Sequence, residues 1–253
     1  HTKYPKFQLH CFSPPEIHNI HLISKLDYET VLARLKATGL NSLPGGGGEI
    51  LDDEVRKRVS TKCTSDEWLG VMRAAHKVGL RTTATLMSGI GDRVEHQVRH
   101  LERLRDLQDE TGGFTAFINW TFQRENTALG KKIKTELTGV DYLKMLSVAR
   151  LFLDNFSNFQ SSWVTQGLRI GQIALRFGAN DMGSVMIEEN VVSSAGTTYC
   201  ADERTLRYLI RKAGFTPQQR DILYNSVYRD DAPGDDERSD YVPLKELDLA
   251  IAD

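Results

Sequence analysis

The stretch SLPGGGGEIL, residues 42–51, places four consecutive glycines and a glutamate directly after a short predicted strand. Glycine loses more backbone freedom on folding than any other residue, so a run of four indicates that something approaches the backbone closely. The run is not a phosphate-binding P-loop, because no Gly-Lys-Ser/Thr follows it. Two interpretations remain. One is a plain turn, and the other is a loop at a strand end that lies flat against a ligand and presents N–H groups to it.

On both sides of this stretch, short apolar segments alternate with long amphipathic segments that predict helices. The predicted strands are residues 7–14, 40–45, 81–87, 114–122, 159–165 and 180–187. This alternation favours a parallel sheet covered by helices. An open doubly wound sheet and a (β/α) barrel both fit, and in either one the ligand groups collect at the carboxyl ends of the strands.

The composition is that of an ordinary globular chain, with 253 residues, 40% of them hydrophobic and 26% charged. The net charge of −2 gives no sign of nucleic-acid or membrane-surface binding. No apolar run approaches the ~18 residues of a membrane-spanning helix, and the first residues do not form a secretory leader. The absence of a starting Met suggests processing or a fragment. We expect a cytoplasmic protein whose fold spans residues 1–229, followed by an acidic tail over residues 230–253.

The possible metal ligands do not form a site in the sequence. Cys11, Cys63 and Cys200 are far apart, which predicts neither a disulfide framework nor a close metal-ligand cluster. His18 and His21 are three residues apart, but no third ligand is evident, so we expect a surface pair.

Acidic side chains follow the first two predicted strands. Ser13 and Glu16 fit a helix N-cap and a first-turn acid, with Pro14 at the first helical position, as well as they fit ligand contacts. Glu49, directly after the glycines, could accept hydrogen bonds from a ribose hydroxyl or an amino group.

Aromatic and amide side chains follow the later strands. Trp120 and Trp163 could form an aromatic wall for a flat substrate, although a single strand Trp is usually a core residue. Gln123, Asn126 and Gln160 are neutral hydrogen-bonding groups that suit a nucleoside-like or carboxylated ligand.

Several of these segments together carry a family resemblance. In chain order, HCFSPPEI, LPGGGGEIL, TTATLM, FTAFINWTFQRENTALG, FQSSWVTQGL and GANDMGSVMIEENVVSSAGTTY resemble the radical S-adenosylmethionine enzymes of the futalosine route to menaquinone. The resemblance covers residues 7–224 and is greatest to the dehypoxanthine futalosine cyclases. The aminofutalosine synthases and the deazaflavin-cofactor synthases are more distant.

The resemblance implies an incomplete TIM-type (β/α) barrel of about six of the eight units, strands three to eight. It also implies two cofactors, S-adenosylmethionine and a [4Fe-4S] cluster held by a CxxxCxxC loop after the first strand. This sequence has no such loop, and two units, roughly 100 residues, are missing relative to a complete barrel. The loop LMSGIGD is shorter than in the resembled enzymes, and Asp92 is its only acid.

The resemblance also implies roles for individual residues, with no metal ligand among them. Contacts to S-adenosylmethionine are implied for Gly45, Gly46, Gly47, Gly48, Thr85 and Met87. Substrate contacts are implied for Ser13, Trp120, Gln123, Asn126, Gln160, Ser161, Trp163 and Asp181. Either Glu49 or Glu16 could be the base that accepts the last proton. Asp181 could equally be structural and close the last loop.

The implied activity is radical cyclisation of dehypoxanthine futalosine, a nucleoside-like substrate, with an external electron donor. The alternatives are an aminofutalosine synthase and a non-catalytic truncated barrel. If units are missing, the first and last predicted strands each lack a neighbour. We then expect a homo-oligomer through these open edges, or occupation of the gap by the N-terminal segment or the acidic tail.

Overall fold

The computed structural model describes residues 3–4, 7–59, 62–134, 136–186, 190, 192–196 and 199–227. The predicted acidic tail at residues 230–253, the boundary at residue 229 and the last residue of the predicted sixth strand lie outside the described residues.

Five parallel strands form one sheet. They are β1 (Leu9–His10), β2 (Leu40–Leu43), β3 (Arg81–Ser88), β4 (Phe114–Thr121) and β5 (Phe159–Gln160). Their spatial order follows the sequence order, β1-β2-β3-β4-β5, without the reversal that a doubly wound sheet requires. The incomplete parallel barrel is therefore confirmed, and the doubly wound alternative is not adopted.

The first and the last two predicted strands are shorter than predicted. A helix begins at Pro14 directly after β1, and another begins at Trp163, three residues after Gln160. In the described part of the predicted sixth strand, one parallel bridge joins Asp181 to Gln160 of β5.

Eight α-helices are present among the described residues. They are α1 (Pro14–Ser24), α2 (Tyr28–Ala37), α3 (Asp53–Val59), α4 (Ser65–Lys77), α5 (Val94–Thr111), α6 (Gly139–Phe152), α7 (Trp163–Ala174) and α8 (Glu203–Lys212). Local sequence sets several of their ends. Thr64 and Glu67 form the capping box of α4, and Gly112 ends α5 in the left-handed conformation.

The helices pack on one face of the sheet. Ala84, Leu86 and Phe117 lie in a buried cluster with helical side chains such as Trp68 and Leu104. Successive strand residues point to opposite faces. The other face, which is the inside of the partial barrel, therefore carries the intervening positions, Thr85, Met87, Ile118, Trp120 and Gln160.

A hairpin formed by residues 219–227 links the two edges of the partial barrel. The Val227 N–H donates to the Gln219 carbonyl at 2.8 Å, and Arg220 pairs with Ser226 in an antiparallel bridge. We call this segment the closing hairpin. It contacts both edges, at Gln8 next to β1 and at Asp181 next to β5.

The side-chain amide of Gln8 contacts the closing hairpin at the first edge. Gln8 Nε2 donates to Asp221 Oδ2 at 3.2 Å, and the Ile222 N–H donates to Gln8 Oε1 at 3.2 Å. Among the described residues, the segment that links the open edges is the closing hairpin. Occupation of the gap by the N-terminal segment or the acidic tail stays a prediction, and the tail lies outside the described residues. Self-association through these edges stays a prediction.

Candidate functional site

The glycine loop, residues 45–50, begins with a close approach to strand β3. The Gly45 N–H donates to Thr83 Oγ1 at 2.9 Å, and Thr85 Oγ1 donates to the Gly45 carbonyl at 2.7 Å. A Cβ atom on Gly45 would lie 2.7 Å from the Thr83 carbonyl oxygen and 3.1 Å from Ala84 Cα. The first glycine is therefore required by the neighbouring backbone of the protein itself.

Two more glycines are required by packing. Gly47 has a φ of +76°, which favours glycine, and a Cβ atom there would collide with the Pro15 ring. A Cβ atom on Gly48 would lie 2.8 Å from Trp68 Cζ2. Gly46 is different, because it is half-buried and its nearest neighbour is Ser13 Cβ at 3.3 Å. Gly46 is thus the one glycine of the run at which packing leaves room for a ligand.

Glu49 combines a fixed backbone with a free carboxylate. Its carbonyl accepts from the Met87 N–H at 2.7 Å, which ties the glycine loop to the end of β3. Its side chain is half-buried and makes no hydrogen bond or ion pair with any described residue. A carboxylate that is partly removed from water and has no partner among the described residues is available to a ligand.

Glu16, the other candidate base, is engaged in capping helix α1. Glu16 Oε2 accepts from the Ser13 N–H at 2.8 Å and from Ser13 Oγ at 2.6 Å. Pro14 occupies the first helical position, as the sequence indicates. The capping interpretation of Ser13 and Glu16 is confirmed, and of the two carboxylates Glu49 is the one without a hydrogen bond or ion pair among the described residues.

The two tryptophans lie in different environments. Trp120 is half-buried on the inner face of the sheet beside Met87, its partner in the strand register. Trp163 is the first residue of α7 and is only 2% exposed, with Nε1 donating to the Met182 carbonyl at 2.7 Å. The structure does not bring them together as one wall, and Trp120 with Met87 forms the apolar surface nearest the strand ends.

A polar cavity of about 710 Å³ lies beyond the end of β4. Its lining includes Gln123 and the exposed Asn126, both of which sequence reasoning selected. It also includes Thr121 and Gln166, which sequence reasoning missed. Gln166 Nε2 donates to Thr121 Oγ1 at 2.7 Å, and Gln123 Nε2 donates to the Thr121 carbonyl at 3.0 Å. Thr121 could have been selected from the sequence by its position at the end of a strand, where ligand groups collect.

Ser161 and Asp181 hold the framework together. Ser161 is buried, and its Oγ donates to the Gly171 carbonyl at 3.0 Å. Asp181 Oδ2 accepts from Arg220 Nη2 at 2.6 Å and from the Tyr224 hydroxyl at 2.7 Å. The structural interpretation of Asp181 accounts for these contacts, with the closing hairpin as the element that it anchors.

The ionisable groups around Asp181 have shifted pKa values. Burial would lower the pKa of Arg220, but the charge and hydrogen bond of Asp181 outweigh burial and hold that pKa above its ordinary value. Burial raises the pKa of Tyr224, and the Asp181 carboxylate raises it further. Burial also lowers the pKa of His10 to about 4, helped by the Arg220 charge. At neutral pH Arg220 is therefore charged, whereas His10 and Tyr224 are neutral.

One group in the described part of the chain has the atom spacing of a metal site, namely Asp52, Glu54 and His96. Its chemistry does not fit a metal ion. His96 Nδ1 accepts from the Arg93 N–H at 2.9 Å, which places the imidazole proton on Nε2, the atom that faces Glu54. Asp52 Oδ2 is already paired with Arg99 Nε at 2.6 Å.

The three cysteines do not fit a [4Fe-4S] cluster. Cys11 is half-buried after β1, Cys63 is buried before α4, and Cys200 is exposed before α8. Burial raises the pKa of Cys63, which disfavours the thiolate that a cluster requires.

We predict that the 253-residue polypeptide assembles no [4Fe-4S] cluster, because three dispersed thiols cannot supply its ligand set. The measurement is anaerobic reconstitution with iron and sulfide, followed by iron analysis and absorption spectroscopy. Stoichiometric incorporation of four irons per chain, with the broad visible absorption of a cluster, would show this prediction to be wrong.

The fold and the strand ends together define a parallel partial (β/α) barrel with a candidate ligand cleft at the carboxyl edge. The crystal structure of methylornithine synthase (PylB) has the same fold, with a TM-score of 0.58 and 19% sequence identity. The match covers 76% of this chain and 56% of that chain. No helix among the described residues is long and apolar enough to cross a membrane.

Sequence comparison then shows which proteins the chain is similar to. Residues 111–232 match the model described as the CofH/MqnC C-terminal region. The cyclic dehypoxanthine futalosine synthase of Halalkalibacterium halodurans is 50% identical over 226 residues, which are 89% of this chain and 60% of the relative. The enzyme of the same name from Streptomyces coelicolor is 40% identical over 235 residues, 92% of this chain and 58% of the relative.

Residues 111–232 therefore match the C-terminal region of the CofH/MqnC family, and the resemblance noted in the motifs of the chain is confirmed. The chain spans about three fifths of the length of the two curated relatives.

Proposed function

We propose that this chain forms the substrate-binding part of an enzyme that converts dehypoxanthine futalosine to cyclic dehypoxanthine futalosine. The 50% identity to a relative named for that product supports the substrate. The chain spans 60% of that relative, so the activity of the whole enzyme is part of the proposal.

The observation that carries the proposal is the carboxylate of Glu49, which has no partner among the described residues and stands on a backbone fixed at the carboxyl edge of the sheet. In the proposed complex Glu49 accepts a hydrogen bond from a ribose hydroxyl and can take the final proton of the cyclisation. A fixed backbone lowers the entropic cost of orienting this carboxylate when the substrate binds.

The other half-buried residues of the inner face orient the substrate. Trp120 offers a flat aromatic surface for the aromatic ring, and Gln160 offers an amide that can donate and accept hydrogen bonds. Gln123 lines the neighbouring polar cavity and can contact the more polar end of the substrate. Together these side chains position the substrate and keep water from it.

The cofactors belong to the same proposal. Gly46 and Met87 would contact S-adenosylmethionine, because both are half-buried and lie beside Glu49. Thr85 is less available for this contact, because its hydroxyl already donates to the Gly45 carbonyl. The cluster would need ligands other than Cys11, Cys63 and Cys200. An external electron donor and a cytoplasmic setting complete the proposal.

A chimera tests the function. This chain would replace the matching 226 residues of the Halalkalibacterium halodurans relative, so that the rest of the relative supplies what the chain does not span. After anaerobic reconstitution we expect conversion of dehypoxanthine futalosine to the cyclic product. A folded, cluster-loaded chimera that makes no cyclic product would contradict the proposal. Turnover of the aminofutalosine synthase substrate instead would favour that alternative.

A further inference from the structure

Arg56 is a buried cation directly beneath the glycine loop. It belongs to α3 and is 3% exposed. Nη1 donates to the carbonyls of Gly47 at 2.8 Å and Ile50 at 2.9 Å. Nε and Nη2 donate to the Cys63 carbonyl at 3.0 and 2.7 Å, and Nη2 also reaches Cys63 Sγ at 3.4 Å. All five N–H donors of the guanidinium therefore have an acceptor.

The acceptors of Arg56 are neutral. The carboxylate of Asp53 lies 3.9 Å from Arg56 Nε and itself accepts from the Ser65 N–H at 2.9 Å and from Ser65 Oγ at 2.8 Å. A buried charge is costly unless hydrogen bonds compensate it, and here carbonyl dipoles provide most of that compensation. The loop carbonyls and the guanidinium consequently depend on one another, and losing either leaves the other unsatisfied.

The two loop carbonyls that Arg56 binds flank Glu49. One nitrogen, Nη1, joins Gly47 on the N-terminal side to Ile50 on the C-terminal side, so the short segment between them cannot rotate freely. Another tie is the Met87 N–H, which donates to the carbonyl of Glu49 itself at 2.7 Å. Trp68 Nε1 also donates to the Gly46 carbonyl at 3.2 Å, on the N-terminal side of the segment that Arg56 holds. Arg56 is the side chain that binds the backbone on both sides of Glu49.

We propose that Arg56 is the positioning residue for Glu49, and that it acts by holding the glycine loop in the conformation that presents this carboxylate to the ligand. The ligand, dehypoxanthine futalosine, rests on the proposed function, whereas the ordering of the loop by Arg56 does not. Removing the guanidinium does not alter the Glu49 side chain itself, but it frees the backbone that carries this side chain.

The test uses Arg56→Ala and Arg56→Lys in the full chain, with Lys57→Met as the matched control. Lys57 lies on the same helix and is exposed, so its loss changes the charge without touching the loop. Two quantities are measured for each variant. They are the amide hydrogen-exchange rates of residues 46–50 and the affinity for dehypoxanthine futalosine by calorimetry.

For Arg56→Ala we expect loop exchange to rise about tenfold and affinity to fall about tenfold, with the exchange of β3 and β4 amides unchanged. Added methylguanidinium should partly restore both quantities, because it fits the vacated space and supplies the same donors. Arg56→Lys keeps the charge but has fewer donors, so its loop exchange should lie between those of the wild type and Arg56→Ala. Lys57→Met should behave as the wild type.

Wild-type loop exchange in both Arg56 variants would overturn the proposal. A rise in exchange that is equal across the whole sheet would also overturn it, because that pattern belongs to a purely structural residue. If Arg56→Ala does not fold, Arg56→Lys decides between these outcomes. If the wild-type chain does not bind dehypoxanthine futalosine, the proposed function fails, and the loop-exchange rates still decide the role of Arg56.

Discussion

Replacing Gly45 by alanine is expected to lower the free energy of unfolding by roughly 3 kcal/mol, near the upper end of the usual cost of overpacking. The added Cβ atom would lie 2.7 Å from the Thr83 carbonyl oxygen and 2.9 Å from Thr85 Cγ2. The carbonyl belongs to the backbone of the central strand β3, which cannot move aside without disturbing its pairing with β4. Denaturant unfolding followed by tryptophan fluorescence measures the loss.

Gly46→Ala is the control for this experiment. Its Cβ atom would meet only Ser13 Cβ at 3.3 Å, and Ser13 is a half-buried residue at the start of α1. We expect its cost in free energy of unfolding to stay below about 1 kcal/mol. Equal losses for Gly45→Ala and Gly46→Ala would contradict the conclusion that contact with β3 is the reason for the first glycine.

Replacing Asp181 by asparagine is expected to release the closing hairpin and to lower the free energy of unfolding by roughly 3 to 5 kcal/mol. The carboxylate and Arg220 are 10% and 18% exposed, and the substitution would leave the Arg220 charge buried without its partner. Because the hairpin links the two edges of the sheet, its release should also expose strand edges and promote self-association. Denaturant unfolding and concentration-dependent light scattering measure the two effects.

Asp66→Asn is the matched control, because the same substitution there removes an ion pair at the surface. Asp66 is 86% exposed and pairs with Arg103 at 2.9 Å. An exposed ion pair contributes about 0 to 1 kcal/mol. If Asp181→Asn costs no more than Asp66→Asn and the protein shows no greater self-association, the closing hairpin is not what holds the edges.

Much of the architecture could be predicted because its signals are local. The alternation of apolar and amphipathic segments predicts the parallel sheet, and the capping box of Thr64 and Glu67 marks the start of α4. Ser13 and Glu16 likewise carry their capping role in their spacing, with Pro14 between them. These features depend on residues within a few positions of one another.

The parts that could not be predicted depend on contacts between distant residues. Nothing near the glycine run indicates that Trp68 and Pro15 pack against Gly48 and Gly47, or that Arg56 holds the loop carbonyls. Valine at Gly47 would consequently disturb the fold as well as any ligand, so Gly46 is the cleaner position for a binding test.

Helix α7 and the closing hairpin also depend on contacts between residues that are distant in sequence. The pattern at residues 159–165 is apolar enough to predict a strand, but Trp163 begins a helix and its indole N–H bonds to Met182, 19 residues away. The link from Gln8 to Asp221 spans 213 residues, and no local pattern reports it.

Calorimetric titration of the chain with dehypoxanthine futalosine tests the central claim, that Glu49 at the glycine loop is the ligand-binding carboxylate. The wild type and Glu16→Gln should bind equally, because glutamine can replace glutamate in the capping box of α1. Glu49→Gln should bind at least about tenfold more weakly, since it loses the charge of an acceptor that no described residue shares. Wild-type affinity in Glu49→Gln, an equal loss in Glu16→Gln, or no binding by the wild-type chain would contradict the account.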